Sequence, residues 1–390
     1  MTPVQRTEPL PIPVYLLGFG IFALVTSEFQ VSGMMPVMAD DLGVSIPQVG
    51  YLVSLYAFAM AVGGPLLAIG LLKTPPKTAL LTLYLIFIAG EAMGALAGSY
   101  RMLVVARLIT GSASGAFFGV ALAICIDLVA EHRRGWATSV VLAGIMVGTV
   151  LGLPIANLIG THFGWRESFW LVTGLATLAC LASIGWVPSV PRNAAISLKG
   201  ELAALKNPKL WAVFSTSLLI IGATFAAFSY FTPILRNVTG YGDGAVALLL
   251  FIYGLATVIG NTVVGKLADR HTIPTLSIGL VFLAMFLALF GAFTHSKAVS
   301  ALALVGIGLV GVTMNPAMVS RVMRTANGRP LVNTLHTSVI TLGIVLGTFL
   351  GGLCISAGLG LRAPPWVGFF MAVAGLLTLV PDVRSLRCPQ

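Results

Sequence analysis

Residues 144–152 read GIMVGTVLG, and residues 343–351 read GIVLGTFLG. Each stretch spaces three glycines four positions apart: Gly144, Gly148 and Gly152, then Gly343, Gly347 and Gly351, an offset of 199. That spacing puts small residues on one helix face, where a second helix backbone can come close. A further pair, Gly64 and Gly260, answers at an offset of 196. Near-constant offsets along the chain mean two copies of one unit.

What surrounds the ladders is apolar. The chain has 390 residues, 57% hydrophobic and 9% charged, with a mean hydropathy of +0.99. Soluble domains carry about a quarter charged residues, and here the deficit runs the whole length. Apolar runs of about twenty residues, each long enough to cross a hydrocarbon core of about 30 Å, recur throughout. They cover approximately 12–38, 47–72, 78–99, 102–127, 137–160, 167–188, 210–235, 245–267, 274–294, 298–320, 332–356 and 365–381. Breaks such as KTPPK (73–77), EHRRG (131–135), ADRHTIP (268–274) and ANGRP (326–330) separate them. The sequence therefore predicts an all-α membrane protein of twelve transmembrane helices. The ladders fall in spans five and eleven, so the repeated unit is six spans. A six-helix bundle is expected over 1–188, a cytoplasmic linker over 189–209 and a second six-helix bundle over 210–390. The first residues, MTPVQRTEPLPI, lack a basic n-region, and no small-x-small cleavage site follows, so the first span is expected to be retained.

The formal charge of +10 is a topology signal. With the N-terminus inside, sixteen of the 22 Lys and Arg lie in inner segments. Five (Arg101, Arg166, Arg236, Lys297 and Arg362) lie in outer loops, and Arg107 lies within a span. This split places both termini in the cytoplasm and argues against a nucleic-acid partner. The four cysteines (Cys125, Cys180, Cys354 and Cys388) show neither a disulfide framework nor a metal spacing. There is no Walker A, HExxH or GxSxG sequence to support ATP use or catalysis, so neither an enzyme nor a cofactor is expected.

Against this apolar background three ionisable residues sit inside spans: Glu28, Glu91 and Arg107, on spans one, three and four. Counted from the outer span ends at about 1.5 Å per residue, they lie roughly 16, 12 and 9 Å deep, so all three can meet at one level. An ionised group in the bilayer core is costly and usually functional. A glutamate beside an arginine stays ionised, and in an apolar setting it takes a proton. Glu28 is thus the expected main proton carrier, Arg107 its electrostatic partner and Glu91 a second acid. The alternative is a buried ion pair that fixes helix packing. Asp127, ending span four, and Asp269 with Arg270 in GKLADR read as latches at the inner face, pairing with nearby cations or helix ends. Gln30, Tyr56, Asn157, Tyr230 and Asn315 are candidate substrate-cavity ligands. His336 is as compatible with a helix-start histidine as with a proton carrier. The ladder Gly144–Gly148–Gly152 with Pro154 suits surfaces that slide or rock, though any tight bundle can use such glycines.

Four stretches carry a resemblance to a known family: TSEFQVSGMMPVMADDLGVS (26–45), RLITGSASG (107–115), AGIMVGTVLGLPIANLIG (143–160) and FGWRESFW (163–170). They resemble the twelve-span drug:proton antiporters of the major facilitator superfamily, most of all the branch of bacterial arabinose-type sugar efflux permeases and chloramphenicol exporters. The likeness covers nearly the whole chain. It implies a major facilitator fold and proton-driven efflux of a small drug- or sugar-like molecule by alternating access. It also implies a multi-pass place in the bacterial inner membrane and a monomer. In this likeness Arg107 is the arginine tied to proton coupling, Glu28 the first-span acid, and Gly144 to Pro154 the antiporter motif. One departure stands out: the family's usual acid between spans two and three is missing, since GGPLLAIGLLKTPPK (63–77) has none. A passive facilitator on the same fold is the alternative function, with a non-transporting membrane receptor behind it.

Overall fold

The computed structural model describes residues 9–189, 207–326 and 330–387. Among them, twelve helices are long and apolar enough to cross a membrane: α1 (Ile12–Leu42), α2 (Ile46–Gly70), α3 (Pro76–Ala95), α4 (Tyr100–Asp127), α5 (Glu131–His162), α6 (Trp165–Trp186), α7 (Pro208–Asn237), α8 (Asp243–Ala268), α9 (Arg270–Ala292), α10 (Lys297–Thr325), α11 (Leu335–Leu359) and α12 (Ala363–Asp382). Most of the expected linker, 189–209, falls outside the described residues.

The helix ends follow local chemistry. Ser45 caps α2, with Gln48 completing a capping box, while Ser99 caps α4 and Ser296 caps α10. Gly43, at φ 62°, stops α1 in the left-handed conformation and donates its N–H back to Asp40. Two of the prolines inside spans are absorbed by wide turns. The π-helical segment Ala59–Gly63 precedes Pro65, and Gly148–Gly152 precedes Pro154. A proline has no N–H to give the preceding turn, and a π-bulge relaxes that turn. One break is tighter than the sequence suggests. ADRHTIP reads as a loop, yet α8 passes into α9 through one non-helical residue, His271 (φ −132°, ψ 55°).

Helices α1–α6 pack chiefly with one another, and so do α7–α12. The glycine ladders hold equivalent seams within each half. A Cβ on Gly144 would strike the Gly18 carbonyl of α1, and one on Gly148 would strike Val25. In the second half, a Cβ on Gly343 or Gly347 would meet the carbonyls of Leu218 and Gly222 on α7. So α5 lies on α1 as α11 lies on α7. These two partners are also the most buried spans, with 67% of the apolar window of α1 and 89% of that of α7 inside the molecule.

The halves meet along α1–α7, α2–α11 and α5–α8. Phe29 of α1 packs on Phe228 and Phe225 of α7, with ring centroids 5.3 and 6.1 Å apart. Near the face opposite the termini, Tyr51 of α2 packs on Phe349 of α11 at 5.4 Å, and its hydroxyl reaches Ser356. Tyr230 of α7 fills the space left by Gly50 of α2 and Gly352 of α11. On the termini side, the last turns of α2 rest on α4, and the last turns of α10 rest on α7, α11 and the continuous α8–α9 helix. Each of these ends packs within its own half. The seam is therefore tightest away from the termini.

Candidate functional site

The site grows from the segment Ser27-Glu28-Phe29-Gln30 of α1. In a helix, positions i and i+3 share a face, and position i+1 is turned about 100° away. Ser27 and Gln30 accordingly point together toward α3 and α4, while Glu28 is turned off that face. Glu91 of α3 and Arg107 of α4 meet the shared face, and both are 0% exposed.

Every polar atom of the Glu91 carboxylate is occupied. Ser27 Oγ donates to one oxygen, and Gln30 Nε2 donates to the other at 2.9 Å. Gln30 Oε1 in turn accepts from Ser168 Oγ of α6 at 3.0 Å. Arg107 donates through Nη1 to the Ser27 carbonyl (2.9 Å) and to Ser27 Oγ (3.1 Å), and through Nη2 to the Glu28 carbonyl (3.3 Å). Its guanidinium stacks over Tyr56 of α2 at 4.0 Å, and Tyr56 donates to the Leu24 carbonyl and bonds to Ser114. Glu91 and Arg107 are thus linked through the Ser27 hydroxyl. Burial of a charge is tolerable only when it is paired and hydrogen-bonded, and this knit supplies both.

Glu28 differs. It is partly exposed, Arg107 touches its carbonyl, and Arg107 is the charge that acts on its side chain. Among the described residues its carboxylate has no hydrogen-bond or ion-pair partner. The three ionisable groups anticipated at one level do converge, with two acids held unequally around one arginine.

The remaining sequence candidates are spread through the molecule. Gln30, Tyr56, Asn157 and Tyr230 are all buried and committed to protein partners. Asn157 Nδ2 donates to the Gly33 carbonyl at 2.8 Å, and Tyr230 donates to the Thr348 carbonyl at 2.9 Å. In this conformation they face protein, and Asn157 Oδ1 is the one of these polar atoms that is buried with no hydrogen-bond partner among the described residues. Sequence spacing marks a polar residue that faces protein, and it does not separate a helix seam from a cavity. Asn315 is exposed, just past the break of α10 at Gly311. Asp127 is also exposed and has no ion-pair partner among the described residues, so the pairing expected of it is not formed here. It borders an open recess of about 460 Å³ walled by α2, α3 and α4, including Leu71, Pro76 and Gly119. An exposed carboxylate keeps its water, and a surface pair adds about 0–1 kcal/mol at most. Arg270 is exposed, and the side chain of Asp269 lies outside the described residues.

Sequence reasoning missed Ser27 and Ser168, although the spacing of Ser27 and Gln30 on one helix face was readable. It also placed Arg321 in an inner loop. Arg321 is 5% exposed and bonds Asp382 of α12 and Thr216 of α7. At the next residue of α7, His336 Nε2 bonds Ser217 Oγ at 2.8 Å, and its ring stacks on Phe214. These groups tie the second bundle together at its termini side.

Comparison with known proteins settles the family. The model of the Major Facilitator Superfamily matches residues 17–330. This chain belongs to the major facilitator superfamily. It is 32% identical to the inner membrane transport protein YdhP of Escherichia coli over 379 residues, 97% of each chain. It is 33% identical to a chloramphenicol resistance protein of Streptomyces lividans over 383 residues, covering 95% of this chain and 96% of that one. A solved bacterial homologue of the human lysosomal transporter Spinster, in an inward-facing and occupied conformation, superposes with a TM-score of 0.75 at 18% identity. That likeness covers 97% of this chain and 98% of the other and shows the shared fold. The molecule is therefore a multi-pass transporter of the superfamily and not an enzyme, with the twelve spans expected from its sequence.

Proposed function

We propose that this major facilitator protein exports a small amphipathic or polar molecule in exchange for protons, with Glu28 as the proton carrier. The observation that carries the reading is the unequal treatment of two acids around Arg107. Glu91 has a hydrogen bond to each carboxylate oxygen and is fully buried. Glu28 has no protein donor and retains access, so it can gain or lose a proton without breaking the knit. An acid that changes charge beside a fixed cation is what exchange of a proton for a substrate requires. The relatives favour export: one is named for chloramphenicol resistance, and another is named as an inner membrane transporter. With the termini in the cytoplasm, as the lysine and arginine split supports, the protein sits in the bacterial inner membrane and this conformation is closed to the outside. A monomer suffices, since each chain carries both halves of the seam. No cofactor is needed beyond the proton gradient.

The test is uptake into inverted membrane vesicles, with radiolabelled chloramphenicol and pentoses as probes. Accumulation under an imposed pH gradient that an ionophore abolishes is the expected result. The bonding of both Glu91 oxygens, to Ser27 and Gln30, also suits a purely structural pair. Flux that ignores the ionophore would favour that facilitator reading.

A further inference from the structure

The Ser27 hydroxyl occupies an unusual place. It is the only side-chain group that touches both buried ions directly among the described residues, donating to Glu91 and accepting from Arg107 at 3.1 Å. A hydroxyl has one proton to donate, and that proton is spent on Glu91. Its lone pair then takes one N–H of Arg107. The carboxylate and guanidinium are thereby kept one oxygen atom apart and do not close on each other as a fork-on-fork pair. We propose that Ser27 is the positioning residue of this site, a spacer that keeps the charge of Arg107 shared between Glu91 and Glu28.

This inference rests on Glu28 as the proton carrier. The structure supplies the geometry for the sharing. Nη1 of Arg107 serves Ser27, Nη2 reaches the backbone of Glu28, and Nε has no hydrogen-bond partner. A direct pair with Glu91 would draw the guanidinium toward α3 and off the backbone of Glu28. The groups that bear on Glu28 can be named element by element. Arg107 comes from α4, Glu91 from α3 and Tyr56 from α2, the last two beside that guanidinium. The charged residues of α6, Arg166 and Glu167, and His162 of α5 lie near the far face, where Arg166 pairs with Asp41, and α6 also carries the thiol of Cys180. Glu131, His132, Arg133 and Arg134 lie at the opposite end of α5. On α7, Lys209 and Arg236 stand at its two ends. Sharing by Arg107 is thus the local electrostatic control on Glu28.

The spacer role makes two opposite predictions. Ser27→Ala removes the oxygen, so Arg107 closes on the buried Glu91 and withdraws from Glu28, which then holds its proton to higher pH. Glu91→Gln removes the competing anion, so Arg107 moves toward Glu28, which then releases its proton at lower pH. The readout is infrared titration of the purified full-length protein, following the protonated-carboxyl band that Glu28→Gln removes. We expect the midpoint to rise by about one pH unit in Ser27→Ala, a tenfold change in proton affinity. We expect it to fall in Glu91→Gln and to stay in place in Ser27→Thr, which keeps the hydroxyl. A purely structural Ser27 would lower thermal stability and leave the midpoint alone, and that result overturns the inference. If Ser27→Ala does not fold, Glu91→Gln decides alone, and a midpoint that holds or rises overturns it. Failure of the underlying reading looks different: no titrating band that depends on Glu28 appears in the native protein.

Discussion

Arg107 serves three acceptors on two successive residues of α1 and stacks on a fourth partner, Tyr56. Only a planar guanidinium can hold that arrangement, since a lysine offers a compact charge without the fork. Arg107→Met leaves Glu91 as an uncompensated buried anion, which costs about 3–5 kcal/mol. Thermal unfolding in detergent should show that loss, with Arg107→Lys falling between the mutant and the native chain. An unchanged melting point for Arg107→Met would mean that Glu91 is neutral in the folded protein. The sequence made the convergence of Glu28, Glu91 and Arg107 legible, because depth along a helix can be counted at 1.5 Å per residue. It did not show which acid the arginine serves. That depends on the azimuth of each helix, and the spans here are apolar nearly all round, so no sequence pattern reports it.

At the scale of elements, the ladders behave as contact surfaces between fixed neighbours. Gly144 and Gly347 abut carbonyls of α1 and α7, whereas nothing lies within 4 Å of a Cβ placed on Gly119. Valine at Gly144 or Gly347 must push two helices apart, and such overpacking costs about 1–3 kcal/mol. Gly119→Ala should leave stability unchanged or raise it slightly, because alanine favours the helix. Comparing the three melting curves checks this, and equal losses at Gly119 and Gly144 would contradict the packing described. The ladders were readable as close-approach faces. Their partners were not, since four-residue spacing names a face and leaves the neighbour open. The π-helical turns ahead of Pro65 and Pro154 were similarly hidden: a proline announces a missing hydrogen bond and leaves open whether the helix breaks or widens.

The whole molecule is two six-helix bundles closed on each other at the face opposite the termini. Tyr230 seals that face against Gly50 and Gly352, and Tyr51 bridges to Phe349 and Ser356. On the termini side Asp127 stands open beside its recess. A water-soluble maleimide should therefore label Asp127→Cys quickly and Tyr230→Cys slowly in the resting protein. Labelling of Tyr230→Cys at the faster rate would show that the resting state is open at the other face. The twelve-span plan and the six-span repeat were legible because hydrocarbon thickness and glycine offsets leave long-range marks in a sequence. The state of closure left none, since it depends on a small energy difference between two packings of the same halves.

Glu28 is proposed to move the proton. Proteoliposomes holding the native chain or Glu28→Gln test it most directly, with labelled chloramphenicol followed in two modes. One mode is accumulation driven by a pH gradient. The other is exchange against unlabelled compound with no gradient. Loss of gradient-driven accumulation in Glu28→Gln, with exchange retained, is the predicted result. Gradient-driven accumulation that survives in Glu28→Gln would exclude Glu28 as the proton carrier and leave it a bystander to the Glu91–Ser27–Arg107 knit.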